Sequence, residues 1–184
     1  MIEAIKNRRS IRKYLPGEID DDVILEILRD AMRAPSGDNT QPWRFIIVRS
    51  KETRAAISRA SHGQRWMEQA PVHIVCIADI RSRLAADIPF RADEASPEFE
   101  LKQVIRDTSI ATSFLLLEAA ARGIGSCWVA WYAQKDIRPL LGIPEDKFVV
   151  GVITLGYPAE NPAPRPRKEP RSLISYERWE NADE

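Results

Sequence analysis

Two histidines, two cysteines and eight glycines are thin material for a chain of 184 residues, and each scarcity removes a class of chemistry. His62 and His73 are too few and too far apart for a zinc-binding pattern. His73, inside an apolar run, reads as a core histidine. Cys76 and Cys127 also lie in apolar, strand-like runs, with no histidine near them in sequence. That pattern favours buried free thiols in a reducing cytosol over a disulfide or a thiol nucleophile. The glycines form no Gly-x-x-x-x-Gly-Lys-Ser/Thr loop and no Gly-x-Ser-x-Gly elbow. Gly123-Ile124-Gly125 lacks the third glycine of a dinucleotide fingerprint and follows a helix, where the fingerprint follows a strand. Neither sign of charge is in excess, with 27 basic and 27 acidic residues, so nothing points to nucleic acid or an anionic membrane as a partner. No apolar run reaches the roughly 20 residues of a membrane span.

What is present suits a single domain over 1–184 with a real core: 44% of the residues are hydrophobic. The first residues read as a helix start and not as a signal peptide, which predicts a cytoplasmic protein. The spacing predicts a helix over 2–8 and a second one after Asp20–Asp22. In the second, Val23, Ile24, Ile27, Leu28 and Ala31 share one face, and Pro35 ends it. Strands are expected at 43–48, 72–78, 126–131 and 147–155, and shorter helices at 51–60, 64–69 and 136–141. A long helix opens at Pro97 and runs to about Ala121, with Gly123 as its cap. Its second half is apolar on more than one face, which calls for a covering partner and predicts an obligate homodimer. Residues 80–96 mix charges with Pro89 and Phe90 and have no clean period. A flap and a plain surface excursion are equally compatible with that stretch. The tail, 159–184, is proline-rich and too poor in apolar residues for a core of its own, so it lies along another surface or is disordered. Within it, Leu173-Ile174-Ser175-Tyr176 could add an edge strand, one host being a partner subunit.

The stretch Ala34-Pro35-Ser36-Gly37-Asp38-Asn39-Thr40-Gln41-Pro42-Trp43 joins the second helix to the first strand. Its prolines restrict the backbone, Gly37 permits close approach or positive φ, and Asn39 and Gln41 each carry a donor and an acceptor. Such a loop suits the edge of a planar heterocycle; an ordinary connector is the plain alternative. Earlier in the chain, Arg8-Arg9-Ser10-Ile11-Arg12-Lys13-Tyr14 concentrates cations that are either solvated or hold an anion.

These two stretches, followed in order by Gly123-Ile124-Gly125-Ser126, Leu155-Gly156-Tyr157-Pro158 and Arg165-Pro166-Arg167-Lys168, closely resemble the nitroreductase family of FMN-dependent oxidoreductases. The resemblance covers essentially the whole chain. It implies an α+β fold with a mixed, mostly antiparallel sheet flanked by helices, and an extended C-terminal tail that embraces the partner subunit. It also implies two FMN molecules at the interface of a homodimer. Arg8 and Ser10, with Arg165 and Arg167 from the tail, match phosphate-binding positions, and Arg9 between them counts among the cofactor-binding residues. Arg12 matches the position beside the flavin pyrimidine edge, where a cation eases reduction. Pro35, Ser36, Gly37 and Asn39 would come from the other subunit. Gln64 fits an amide contact to the pyrimidine edge, and Trp128, Val129 and Ala130 would present backbone near the reactive nitrogen.

The implied activity is NAD(P)H-dependent reduction of a small-molecule electron acceptor, such as a nitroaromatic or a quinone, by ping-pong hydride transfer. NADH or NADPH is the donor; no catalytic side chain and no metal are needed. Two alternatives keep the flavin: another reaction on the same scaffold, such as metabolite dehydrogenation or flavin fragmentation, and a non-catalytic flavin-binding protein. Some relatives carry an acidic residue at the position of Ala130, which bears on the donor-facing chemistry.

Overall fold

A computed structural model describes residues 2–179. Four strands form one sheet in the order β1-β2-β4-β3: β1 (Trp43–Val48), β2 (Val72–Asp79), β3 (Gly125–Val129) and β4 (Lys147–Gly156). Every neighbouring pair is antiparallel. Among the described residues, the parallel component expected of a mixed sheet is confined to one isolated bridge, Ser10 to Ser126.

β2 is buried at every position, because both of its faces are covered. Successive side chains of a strand point to opposite faces, so Ile74 and Cys76 join one core cluster and Val75 and Ile77 the other. The first cluster packs beneath α2 (Asp21–Ala31) and α4 (Phe99–Ala121), through Ile24, Ile27, Leu28, Leu115 and Ala119. The second packs against α3 (Lys51–Ala60) and α5 (Gln134–Ile137), through Ile57 and Ile137, with Met67 from the turn between α3 and β2. The first helix of the chain, α1 (Glu3–Asn7), contacts α4.

Several boundaries differ from expectation, each for a visible reason. The long helix begins at Phe99, with Glu98 as its N-cap: the Lys102 N–H reaches the Glu98 carbonyl, so Pro97 stays outside. β3 stops at Val129, not at 131. Beyond its last pairing, the Gln134 side chain takes both backbone groups of Val149, accepting its N–H at 2.8 Å and donating to its C=O at 2.9 Å. The helix expected at 136–141 begins earlier, as α5, and breaks into a 3-10 turn at Pro139–Leu141, where proline has no N–H to give. The 64–69 segment is likewise 3-10, over Arg65–Gln69. Residues 173–176 form no strand within this chain, and Leu173, Ile174 and Tyr176 are exposed. The 80–96 stretch is a surface excursion pinned from within. The Arg81 guanidinium sits over the Phe90 ring at 4.6 Å and donates to the Ala85 and Ile88 carbonyls, while Arg138 donates to Ala92.

Both cysteines are free and buried, and burial pushes the Cys76 thiol up to about 12. His73 is fully buried and half satisfied: Nε2 meets the Met67 carbonyl at 2.9 Å, and Nδ1 has no partner among the described residues. No described helix is long and apolar enough to cross a membrane. The face of α4 turned away from the sheet leaves Ile110 and Phe114 more than a third exposed, beside exposed Ile2 and Ile5 at α1.

Candidate functional site

The basic segment that follows α1 is laid along the end of the sheet and not left to solvent. Ile11 N–H donates to Ser126 O, Leu15 N–H to Tyr157 O, and Ala159 N–H to Lys13 O. Ile11 and Tyr14 point inward. The Tyr14 hydroxyl lies 2.6 Å from the Ile11 carbonyl and 2.7 Å from Thr154 Oγ1, and burial raises its pKa, which keeps the phenol neutral. Gly156 is required here: a Cβ would stand 2.6 Å from Tyr14 Cδ1 and 2.8 Å from Pro71 Cδ. Glu160 then clips the segment from outside, its Oε1 accepting the N–H groups of Arg12 at 2.6 Å and Lys13 at 3.1 Å. With the apolar residues committed inward, the arginines between them face out.

A cavity of about 370 Å³ lies between this segment and the tail. Arg8, Arg9, Ser10 and Arg12 line it on one side, Arg165 and Arg167 on the other, with Lys6 at the edge. Arg9 is tied down, donating to the carbonyls of Lys6 at 2.7 Å and Arg8 at 2.9 Å. Arg8, Arg12, Arg165 and Arg167 form no ion pair with a carboxylate among the described residues. With Glu160 as the one carboxylate among the described residues held at this segment, by its backbone N–H groups, four guanidiniums free of ion pairs around one cavity suit an anion, since each charge-assisted hydrogen bond to phosphate is worth about 1.5–3 kcal/mol. Arg8 and Ser10 also line a neighbouring cavity of about 430 Å³, with Trp128, Leu116 and Leu117. Cys127, buried beside Ser10, has its thiol pushed up by burial, so no thiolate sits at this site.

Arg12 lies with its Cζ 5.5 Å from the Trp66 ring centroid, so the turn that carries Gln64 stands next to it. Gln64 turns its amide nitrogen back to the Ser61 carbonyl at 3.1 Å. Trp128 is half-buried and Ala130 is exposed just past the end of β3, whereas the Val129 side chain is spent on the core, which leaves only its backbone for a ligand. Sequence reasoning missed Trp66, Glu160 and the stack of His62 on Trp131, whose rings lie 4.0 Å apart. An acidic residue two positions after Pro158 was the one available signal for Glu160. Trp66 and Trp131 carried none.

The Pro35–Asn39 loop lines neither of these two cavities. It is sharply bent: Asp38, Asn39 and Gln41 adopt φ of 51°, 54° and 47°, the left-handed region that L-residues other than Asn and Asp rarely enter. Ser36 Oγ accepts the Gln41 N–H at 3.0 Å to close the bend. Gly37 serves close approach and not positive φ, because a Cβ there would lie 2.8 Å from Arg83 Nη1.

The nitroreductase family model matches residues 5–157. A protein of Methanothermobacter thermautotrophicus, provisionally named NADH dehydrogenase/NAD(P)H nitroreductase, is 38% identical over 183 residues, covering 97% of this chain and 87% of its own. A Bacillus subtilis protein named FMN reductase (NAD(P)H) is 26% identical over 189 residues, covering all of this chain and 76% of its own. Among solved structures, an FMN-dependent nitroreductase from Clostridium difficile superposes with a TM-score of 0.79 at 30% identity, over 97% of this chain and 100% of that one. The arginine-lined cavity, the four-stranded antiparallel sheet and this overlap agree: the chain belongs to the nitroreductase family.

Proposed function

We propose that this protein is an FMN-dependent oxidoreductase that draws electrons from NADH or NADPH and passes them to a small organic acceptor, a nitroaromatic or a quinone. The observation that carries the reading is the set of guanidiniums from Arg8, Arg12, Arg165 and Arg167 around one cavity, none of them in an ion pair with a carboxylate among the described residues. A phosphate dianion answers that charge, and Ser10 adds a hydroxyl donor to the same wall. The names of the relatives point to the same cofactor and the same donors.

On this reading Arg8, Arg9, Ser10, Arg165 and Arg167 hold the phosphate of FMN. Bound FMN supplies the redox chemistry, accepting hydride equivalents from one substrate and releasing them to the next. Arg12, backed by Trp66 and fixed at its backbone by Glu160, places positive charge beside the ring where negative charge grows on reduction. The Pro35–Asn39 loop completes the site from a second copy of the chain, since it lines neither of the two cavities at Arg8 and Ser10. The exposed Phe114 and Ile110 on α4 offer that second copy an apolar face. One pocket used in turn by donor and acceptor requires ping-pong kinetics. Two unbridged, buried thiols suit a cytoplasmic setting.

The test is an absorbance spectrum of the purified protein with FMN, before and after anaerobic NADH or NADPH. A bound flavin band that bleaches with either donor and returns with a quinone or nitroaromatic supports the reading. A protein that stays colourless in excess FMN ends it.

A further inference from the structure

Within the FMN reading above, and depending on it, we propose that Arg83 is a positioning residue that clamps the cofactor-facing loop Ser36–Gln41 onto α4. Arg83 sits at the end of the turn Ile80–Ser82, its N–H bonded to the Ile80 carbonyl at 2.9 Å. Its side chain is 17% exposed, low for an arginine on an excursion over the surface. The three guanidinium nitrogens are divided among three partners. Nε donates to Glu100 Oε2 at 2.6 Å, Nη1 to the Gly37 carbonyl at 3.2 Å, and Nη2 faces Asp38 Oδ2 at 3.5 Å. Glu100 belongs to the first turn of α4.

The other side of the same residue is fixed as well. The Gly37 N–H donates at 3.1 Å to Oδ2 of Asp107, a carboxylate only 8% exposed in the middle of α4. Gly37 is thus held through its carbonyl by Arg83 and through its amide by the long helix. The absence of a Cβ lets the guanidinium rest against its Cα. This clamp stands directly before the left-handed run Asp38, Asn39 and Gln41, a conformation that persists only where its surroundings enforce it. Arg83 therefore links the irregular 80–96 stretch to the loop offered to the cofactor. A lysine can replace it only in part, because one ammonium does not reproduce a planar fork spread over three acceptors.

The full-length dimer is tested as Arg83→Ala, Arg83→Lys and Glu100→Gln, with Arg167→Ala alongside. FMN affinity is read by fluorescence quenching, and loop order by amide hydrogen exchange over 36–41. Arg83→Ala is expected to weaken FMN about tenfold, the loss of a charge-assisted hydrogen bond, and to speed exchange of the Gly37 amide. Arg83→Lys recovers part of both. Glu100→Gln, which leaves the guanidinium in place but removes the charge that aims it, moves both readouts the same way by less. Exchange and affinity at parent values in Arg83→Ala overturn the inference. So does faster exchange with parent affinity, since the loop then moves without consequence for the cofactor. Parent FMN affinity in Arg167→Ala sinks the FMN reading itself, which separates the two failures.

Discussion

Arg8, Arg12, Arg165 and Arg167 repel one another until an anion arrives, so their worth depends on the ligand they meet. Replacing Arg167 with Ala is expected to weaken FMN roughly 10- to 100-fold while leaving riboflavin within about twofold, because only FMN carries the phosphate. Paired titrations of the two ligands check this, and equal losses would contradict a phosphate role. His73 makes a separate, pH-dependent claim. Burial holds its pKa down at about 4 against 6.5 unfolded, with the Met67 carbonyl opposing the shift in part. The folded state thus favours the neutral ring. The stability this supplies is fully present above pH 6.5 and is lost as pH falls from there toward 4, by about 3 kcal/mol in all. Urea denaturation at pH 7 and pH 4.5 should show that slope in the parent and a flatter one in His73→Gln.

At the scale of elements, α4 carries the apolar face that the proposed function assigns to a second copy. Leu101, Val104, Thr108, Ala111, Leu115 and Ala119 fill the face over the sheet, and Phe114 is left outward. Phe114→Glu would bury an unpaired carboxylate if that face is an interface. It should then raise the dimer dissociation constant by about a hundredfold or more, measured by sedimentation. A mass unchanged from the parent would move the interface elsewhere. The strands and the longer helices were readable in the sequence because β2 is a continuous apolar run and α2 repeats its apolar residues at helical spacing. Their ends were not. The halt of β3 depends on Gln134 reaching Val149, and the start of α4 on a bond from Lys102 to Glu98; neither leaves a periodic trace. Residues 80–96 lacked a period for a related reason, being ordered by the long side chains of Arg81 and Arg138 and by no repeating face.

At the scale of the whole molecule, the candidate site was legible as a set of motifs and illegible as a place. Arg8, Ser10, Arg12, Arg165 and Arg167 do meet around one cavity, yet the Pro35–Asn39 loop, the most loop-like signal in the chain, does not join them there. Shared use of that loop requires two copies. The tail must also be present for the cavity to have its second wall, since Arg165 and Arg167 both lie in it. A chain ending after residue 161 is expected to fold, because the described tail buries none of the core, and to bind FMN at least about tenfold more weakly. Calorimetric titration of the shortened protein checks both points, and parent-like affinity would remove the tail from the site.

The two walls of that cavity are separated by about 150 positions of chain, from Arg12 to Arg165. The first wall is therefore synthesised well before the second. A released chain ending before residue 165 should therefore carry a formed sheet and hold FMN only weakly, so that tight flavin capture waits on the synthesis of Arg165 and Arg167.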